Sequence, residues 1–202
     1  MPRQYSMDNR SAASAATRAR LLDAAVDVLA EVGGAALTMQ MVADTADVAL
    51  RTVYNHFPSK EVLVVAAYQR LADATQVAVS TLPESGAPRE RLGRFVVAFY
   101  DTFDEQSPGA AAILGVTGVP EFDEQLNAVR AWRRKELTTI LRAGERDGSL
   151  QLPLKQAVAV AFLWTSYATW HSLSIESKLG PAATRDVALR ALDRTLFEAH
   201  PA

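Results

Sequence analysis

Cysteine is absent from the 202 residues. Thiolate zinc sites, thiol nucleophiles, dithiol redox motifs and disulfide scaffolds are therefore excluded, and burial alone must hold the fold, for which the length suffices. An excess of one charge is missing too: 21 Lys and Arg stand against 23 Asp and Glu, a formal net charge of -2. A markedly basic domain is the usual footprint of a nucleic-acid binder, so bulk charge argues mildly against that class. No apolar run approaches the roughly 20 residues of a membrane span. The longest, 157–164, has eight. Residues 1–17 are polar, carry Arg3, Asp8 and Arg10, and lack the apolar centre of a secretory signal. A cytoplasmic chain with no membrane partner is the expectation.

Sustained alternation of period two is also lacking. From Ser14 onward apolar residues recur at three and four, which implies an all-α fold of about nine helices. Leu21, Leu22, Ala25, Val26, Leu29 and Val32 form one stripe, ended by Gly33 and Gly34. Thr38 is a candidate N-cap ahead of Met41, Val42 and Ala46. The pattern breaks at Asp47, and a second short helix reaches about Tyr54. Ser59 caps a helix running to about Thr81, and Pro83, Gly86 and Pro88 mark 82–89 as a loop. Beyond it the periodicity predicts a helix from about Leu92 that stops at 106–109, a less regular segment at 110–116, and helices over 121–146, 153–177 and 184–199.

Catalytic signatures are missing as well. HExxH, GxSxG and glycine-rich phosphate loops do not occur. The three histidines are scattered: His56 lies in a segment discussed next, His171 beside Ser172, and His200 near the end of the sequence. Glu121, Asp123 and Glu124 share a helix start, where acids complement the macrodipole. The expectation is a chain that is no enzyme and needs no metal or cofactor.

The densest signal is 38–60, TMQMVADTADVALRTVYNHFPSK. Two short helices joined by a tight turn, with a third helix after them, are the layout of a helix-turn-helix. Val42, Ala46, Val48, Val53 and Phe57 are spaced to close a three-helix core. Leu50, Arg51 and Asn55 fall near the start and on the free face of the second short helix. Arg51 and Asn55, four apart, are residue types that read guanine and adenine edges in the major groove; a solvated face is the alternative. Thr38, Gln40, Thr52, Tyr54, His56 and Lys60 offer hydroxyls, an amide, an imidazole and an ammonium to phosphates, contacts that set register without reading sequence. Lys60 sits in the first turn of its helix, against the macrodipole, which favours a phosphate partner. His56 suits a structural hydrogen bond equally well.

Thr38, Val42, Ala43, Ala46, Val48, Thr52, Val53, Tyr54, His56, Phe57, Lys60 and Leu63 resemble the N-terminal domain of the TetR family of transcriptional regulators. The resemblance takes in the first helix and its glycines and covers about 15–67. It implies a homodimer on a pseudo-palindromic operator in double-stranded DNA, and a variable C-terminal helical domain that binds a small molecule and shares the dimer interface. The chain then divides into a flexible basic arm at 1–13, a helix-turn-helix domain at 14–60 (motif about 38–57), and an effector-binding and dimerisation domain at 61–202. In the family, positions matching the phosphate candidates commonly touch the DNA backbone, and the position of Gln40 sometimes touches a base. Two departures matter. Glycine is usual where Asp47 stands, and serine or threonine where Ala49 stands, so the recognition helix is expected to fray unless Asp47 caps it. They keep open a rival, a helical small-molecule binding protein that has lost DNA binding.

Charge by segment sharpens the picture. Residues 1–60 carry six basic side chains (Arg3, Arg10, Arg18, Arg20, Arg51, Lys60) and six acidic ones (Asp8, Asp23, Asp27, Glu31, Asp44, Asp47), but 1–20 alone has four basic against one acidic. A basic arm and a modest salt dependence of binding follow. In the remainder, Phe95, Phe99 and Phe103 repeat on one helix, Trp132 lies on another, and Trp164, Tyr167 and His171 follow on a third. Such stripes serve a core as readily as a pocket; they also sit where the family places its ligand cavity, which points to a hydrophobic or aromatic effector. Ala157, Ala161, Ala168 and Ser172 offer a small-residue surface, for a dimer interface in the last two helices or for packing within the chain. The expected function is a ligand-responsive repressor.

Overall fold

The computed structural model describes residues 3–114 and 120–197, with side chains over 11–105 and 120–197. Among the described residues all regular structure is helical. The order is α1 (Arg3–Ala36), α2 (Met39–Thr45), α3 (Leu50–His56), α4 (Lys60–Ser80), α5 (Pro88–Leu114), α6 (Pro120–Asp147), α7 (Leu154–Trp164), α8 (Tyr167–His171), a π-helical turn (Ser172–Glu176) and α9 (Pro181–Leu196). Two compact units form: Met1–Ala72 with Gln106–Gln125, and Asp73–Glu105 with Leu126–Ala202. None of the described helices is long and apolar enough to cross a membrane.

In the first unit the sequence punctuation works as local chemistry requires. Gly33 takes φ 76 and ψ 165, a left-handed conformation that interrupts α1 and that glycine adopts at no steric cost. Thr38 is extended and its hydroxyl accepts the Met41 N–H at 3.2 Å, capping α2. The turn between α2 and α3 needs one left-handed residue, and Asp47 supplies it with φ 53. The Val48 N–H donates to the Ala43 carbonyl at 3.0 Å to close that turn. α3 starts without a side-chain cap at Ala49, so Asp47 does not stand in for the missing hydroxyl. Ala49→Ser is expected to slow amide exchange at 51–53 about fivefold, the equivalent of the ~1 kcal/mol that a hydroxyl cap typically contributes; unchanged exchange would show that α3 gains nothing from a cap.

Leu21, Leu22, Ala25 and Leu29 of α1, Val42 and Ala43 of α2, Val53 of α3, Phe57, and Leu63 and Ala67 of α4 are all buried. Val28 is buried where the expected stripe had Val26, and Val26, Val32 and Val48 are half-buried.

The second unit has its core on Leu92, Phe95, Val96, Phe99 and Tyr100 of α5, Leu137, Ile140 and Leu141 of α6, α7, Trp170, and Ala188, Leu192 and Leu196 of α9. Two expectations are corrected there. The apolar stretch 153–177 is not one helix: Ser166 is extended, accepts the Thr169 N–H at 3.2 Å, and so restarts the chain as α8. Every carbonyl freed by the break finds a side-chain donor. The Thr169 hydroxyl donates to Leu163 at 2.7 Å, the Tyr100 hydroxyl to Trp164 at 2.7 Å, and the Arg133 guanidinium to Thr165 at 2.9 Å. Second, α5 does not stop at 106–109 but runs to Leu114, because alanines and then Ile113 and Leu114 propagate a helix well. Of the set read as either a dimer surface or packing within the chain, Ala157 and Ala161 are fully buried in the core of their own chain, and Ala168 and Ser172 are exposed. On the last helix Thr195 is exposed, while Thr184 is fully buried. Residues 115 and 116 of the less regular segment, and 198 and 199 of the last expected helix, lie outside the described residues.

Candidate functional site

Burial of one side of α3 frees the other. Val53 and the C-capping Phe57 are fully buried, whereas Arg51 and Asn55 are exposed and Tyr54 keeps 49% of its surface. Arg51 and Asn55 thus share an open face one turn apart, with a guanidinium fork and a side-chain amide facing solvent. Leu50, Thr52 and His56 are half-buried, and the His56 ring lies 6.4 Å from that of Phe57. The Arg18 guanidinium stands 4.9 Å from the Phe57 ring centroid, a cation–π contact that commits one of the four basic residues of 1–20 to the fold. Arg20 is exposed. The side chains of Arg3 and Arg10 lie outside the described residues, whose first helix, α1, takes in the stretch expected as an arm.

The phosphate candidates differ in how free they are. Thr38 is exposed; its oxygen caps α2, and its hydroxyl hydrogen remains to donate. Gln40 is exposed and donates to Asp44 at 2.7 Å. The Lys60 ammonium donates to the Ala35 carbonyl at 3.0 Å, in the last turn of α1. A cation is welcome at that helix end, so the unfavourable dipole of α4 no longer argues by itself for a phosphate partner; two N–H donors stay available. Ser59 caps α4 through the Val62 N–H, and its hydroxyl holds the exposed Glu61 carboxyl below the usual range. Arg70, which the sequence did not single out, grips α1 through the Ala19 carbonyl at 3.1 Å and Asp23 at 2.5 Å. No local pattern could reveal it, since its partners lie about fifty positions away.

All seven residues expected to line an effector cavity fall in the second unit. Most of them stack on one another. Ring centroids are 4.8 Å apart for Phe95 and Phe99, 6.0 Å for Phe99 and Trp132, 5.9 Å for Phe99 and Phe103, 5.4 Å for Phe103 and Tyr167, and 5.7 Å for Tyr167 and His171. Burial pushes the phenols of Tyr100 and Tyr167 up. Trp164 is half-buried against the same core. Trp170 was missed: it is 1% exposed, its ring lies 5.3 Å from that of Tyr167, and its indole N–H donates to Asp104 at 2.9 Å. Its spacing of three from Tyr167 was the available signal. Phe95 and Trp132 line a cleft of about 340 Å³ bounded by α4, α5 and α6, in company with Gln76, Arg91 and Glu136. Those polar residues also went unnoticed, although Arg91 and Glu136 each stand four from an aromatic partner.

Residues 21–67 match the family described as bacterial regulatory proteins, tetR family. Over 80 residues the chain is 39% identical to the HTH-type transcriptional repressor KstR of Mycobacterium tuberculosis, a match covering 39% of this chain and 36% of that protein. The matched part thus spans little more than a third of that relative. The nucleoid occlusion factor SlmA of Marinobacter nauticus is 26% identical over 148 residues, 71% of this chain and 74% of its own length. Among solved structures, FadR of Bacillus subtilis in complex with stearoyl-CoA superposes with a TM-score of 0.73 at 19% identity, covering 87% of this chain and 97% of that one. At that identity the likeness is one of fold.

Proposed function

We propose that the chain, whose residues 21–67 match the TetR family, is a DNA-binding transcriptional repressor released by a small hydrophobic or aromatic effector. It acts as a cytoplasmic homodimer that sets one α3 into each half-site of a pseudo-palindromic operator and needs no cofactor. The two-sidedness of α3 carries this reading: its apolar side is locked into a core while Arg51 and Asn55 stand free. A left-handed Asp47 keeps the turn in place without glycine, which supports an intact motif. Repression is supported by KstR, named a transcriptional repressor, and ligand binding by FadR, solved with stearoyl-CoA.

In this reading Arg51 and Asn55 meet base edges beside Leu50, while Thr38, Gln40, Thr52, Tyr54, His56 and Lys60 hold the DNA backbone. α4 carries the signal, since its residues belong in part to each compact unit. The effector must bind the DNA-incompetent state more tightly, because equal affinity for both states shifts nothing. Lys60→Ala is expected to weaken operator and unrelated duplex alike and to reduce the salt slope by about 0.9; a loss confined to operator would assign Lys60 to base reading instead. A gel shift with the DNA upstream of the protein's own gene, competed with unrelated duplex, tests the reading as a whole. Retardation that unrelated DNA does not compete supports it, and no retardation at low salt by a folded dimer sinks it.

A further inference from the structure

We infer that the cleft bounded by α4, α5 and α6 is a subsite for an amphipathic organic cation, an apolar ring system carrying a protonated amine. The inference rests on the effector reading above and adds the charge and shape of the molecule.

Helical spacing assembles the cleft from matched pairs. α5 places Phe95 one turn beyond Arg91, α6 places Glu136 one turn beyond Trp132, and α4 adds Gln76 to the lining. The apolar members lie deep: Phe95 is 1% and Ile140 7% exposed. Trp132 is half-buried and stacked at 21° on Phe99, so its indole is held as a rigid wall. The charged members are Glu84, Glu136 and Arg91, and none of the three forms an ion pair with another described residue. The lining therefore carries one surplus negative charge, and Glu136 holds it half-buried beside an aromatic ring.

That combination selects by charge. An ammonium group gains both the carboxylate and the electron-rich ring face. A neutral ligand of the same shape would cover Glu136 and leave it without a partner, which costs free energy. An anion would face two carboxylates with one guanidinium to offset them. A volume of about 340 Å³ lies near the small end of ligand sites, which suits a compact ring system. A ligand there also touches Gln76 on α4, the helix that begins with Lys60.

Three probes of one shape decide the matter: 1-naphthylmethylamine, 1-naphthylmethanol and 1-naphthoate, each titrated calorimetrically into the full-length protein without DNA. The amine is expected to bind about five- to tenfold more tightly than the other two, the combined size of a partly exposed ion pair and a cation–π contact. Glu136→Gln should bring the amine down to the affinity of the alcohol and leave the alcohol unchanged, while Trp132→Leu weakens all three. Equal binding of amine and carboxylate, a preference for the amine that survives in Glu136→Gln, or no uptake of the amine at millimolar concentration would each overturn the subsite. Failure there leaves operator binding standing. Uptake of the amine by a protein that never retards operator DNA would keep the subsite and overturn the repressor reading.

Discussion

Arg51→Ala is expected to cut the discrimination between operator and a variant changed at the base it reads by about 1–3 kcal/mol, the usual worth of a bidentate contact. Arg51 is exposed on the free side of α3 and forms no ion pair among the described residues, so its removal opens no cavity and strands no partner. Helix propensity is not lost either, since alanine is the better helix former. The loss should therefore fall on specificity alone. Fluorescence anisotropy at one fixed salt concentration, with operator and single-base variants, gives the discrimination directly. Wild type and Arg51→Ala ranking the variants identically would remove Arg51 from base reading.

Phe57→Ala should act in the opposite manner, by removing the DNA-binding unit as a whole. Its ring is fully buried at the C-cap of α3, roofed by the Arg18 guanidinium, and beside the turn that starts α4. Emptying such a site costs about 3–5 kcal/mol, a large part of the stability of a small domain. Binding to every duplex should vanish together with part of the helical circular dichroism. The three tryptophans, Trp132, Trp164 and Trp170, all belong to the second unit, so their emission separates loss of the first unit from collapse of the chain. Lost helicity with native tryptophan emission is the expected result; a variant that still binds operator with unchanged affinity would contradict the assigned role of Phe57.

The helix-turn-helix was legible because its signals are local. Thr38 caps three residues ahead, Gly33 breaks a helix by its own backbone, and the pattern fails at Asp47 where the chain turns. What escaped depends on partners remote in sequence. The break between α7 and α8 is tolerable only because Tyr100 and Arg133, 64 and 32 positions from their acceptors, take the freed carbonyls. The spacing within 153–177 carries no trace of them. The carbonyl of Ala35 that holds Lys60 lies 25 positions away. Ala157 and Ala161 illustrate a different limit, since small residues suit close packing against the same chain as well as against another copy, and only burial distinguishes the two. For the effector site, the aromatic stripes were visible but their allocation was not. The rings of Phe103, Tyr167 and His171 are occupied with their neighbours, while Phe95 and Trp132 face a cleft whose charge is set by residues one turn away.

Hydroxyl-radical footprinting of the dimer on the DNA upstream of its own gene tests most directly whether α3 reads an operator. Two protected half-sites with centres about 34–36 Å apart along the duplex, or a multiple of that, are the expected result, and Arg51→Ala should blur them. A uniform, sequence-independent footprint from a folded dimer, or none at low salt, would contradict it.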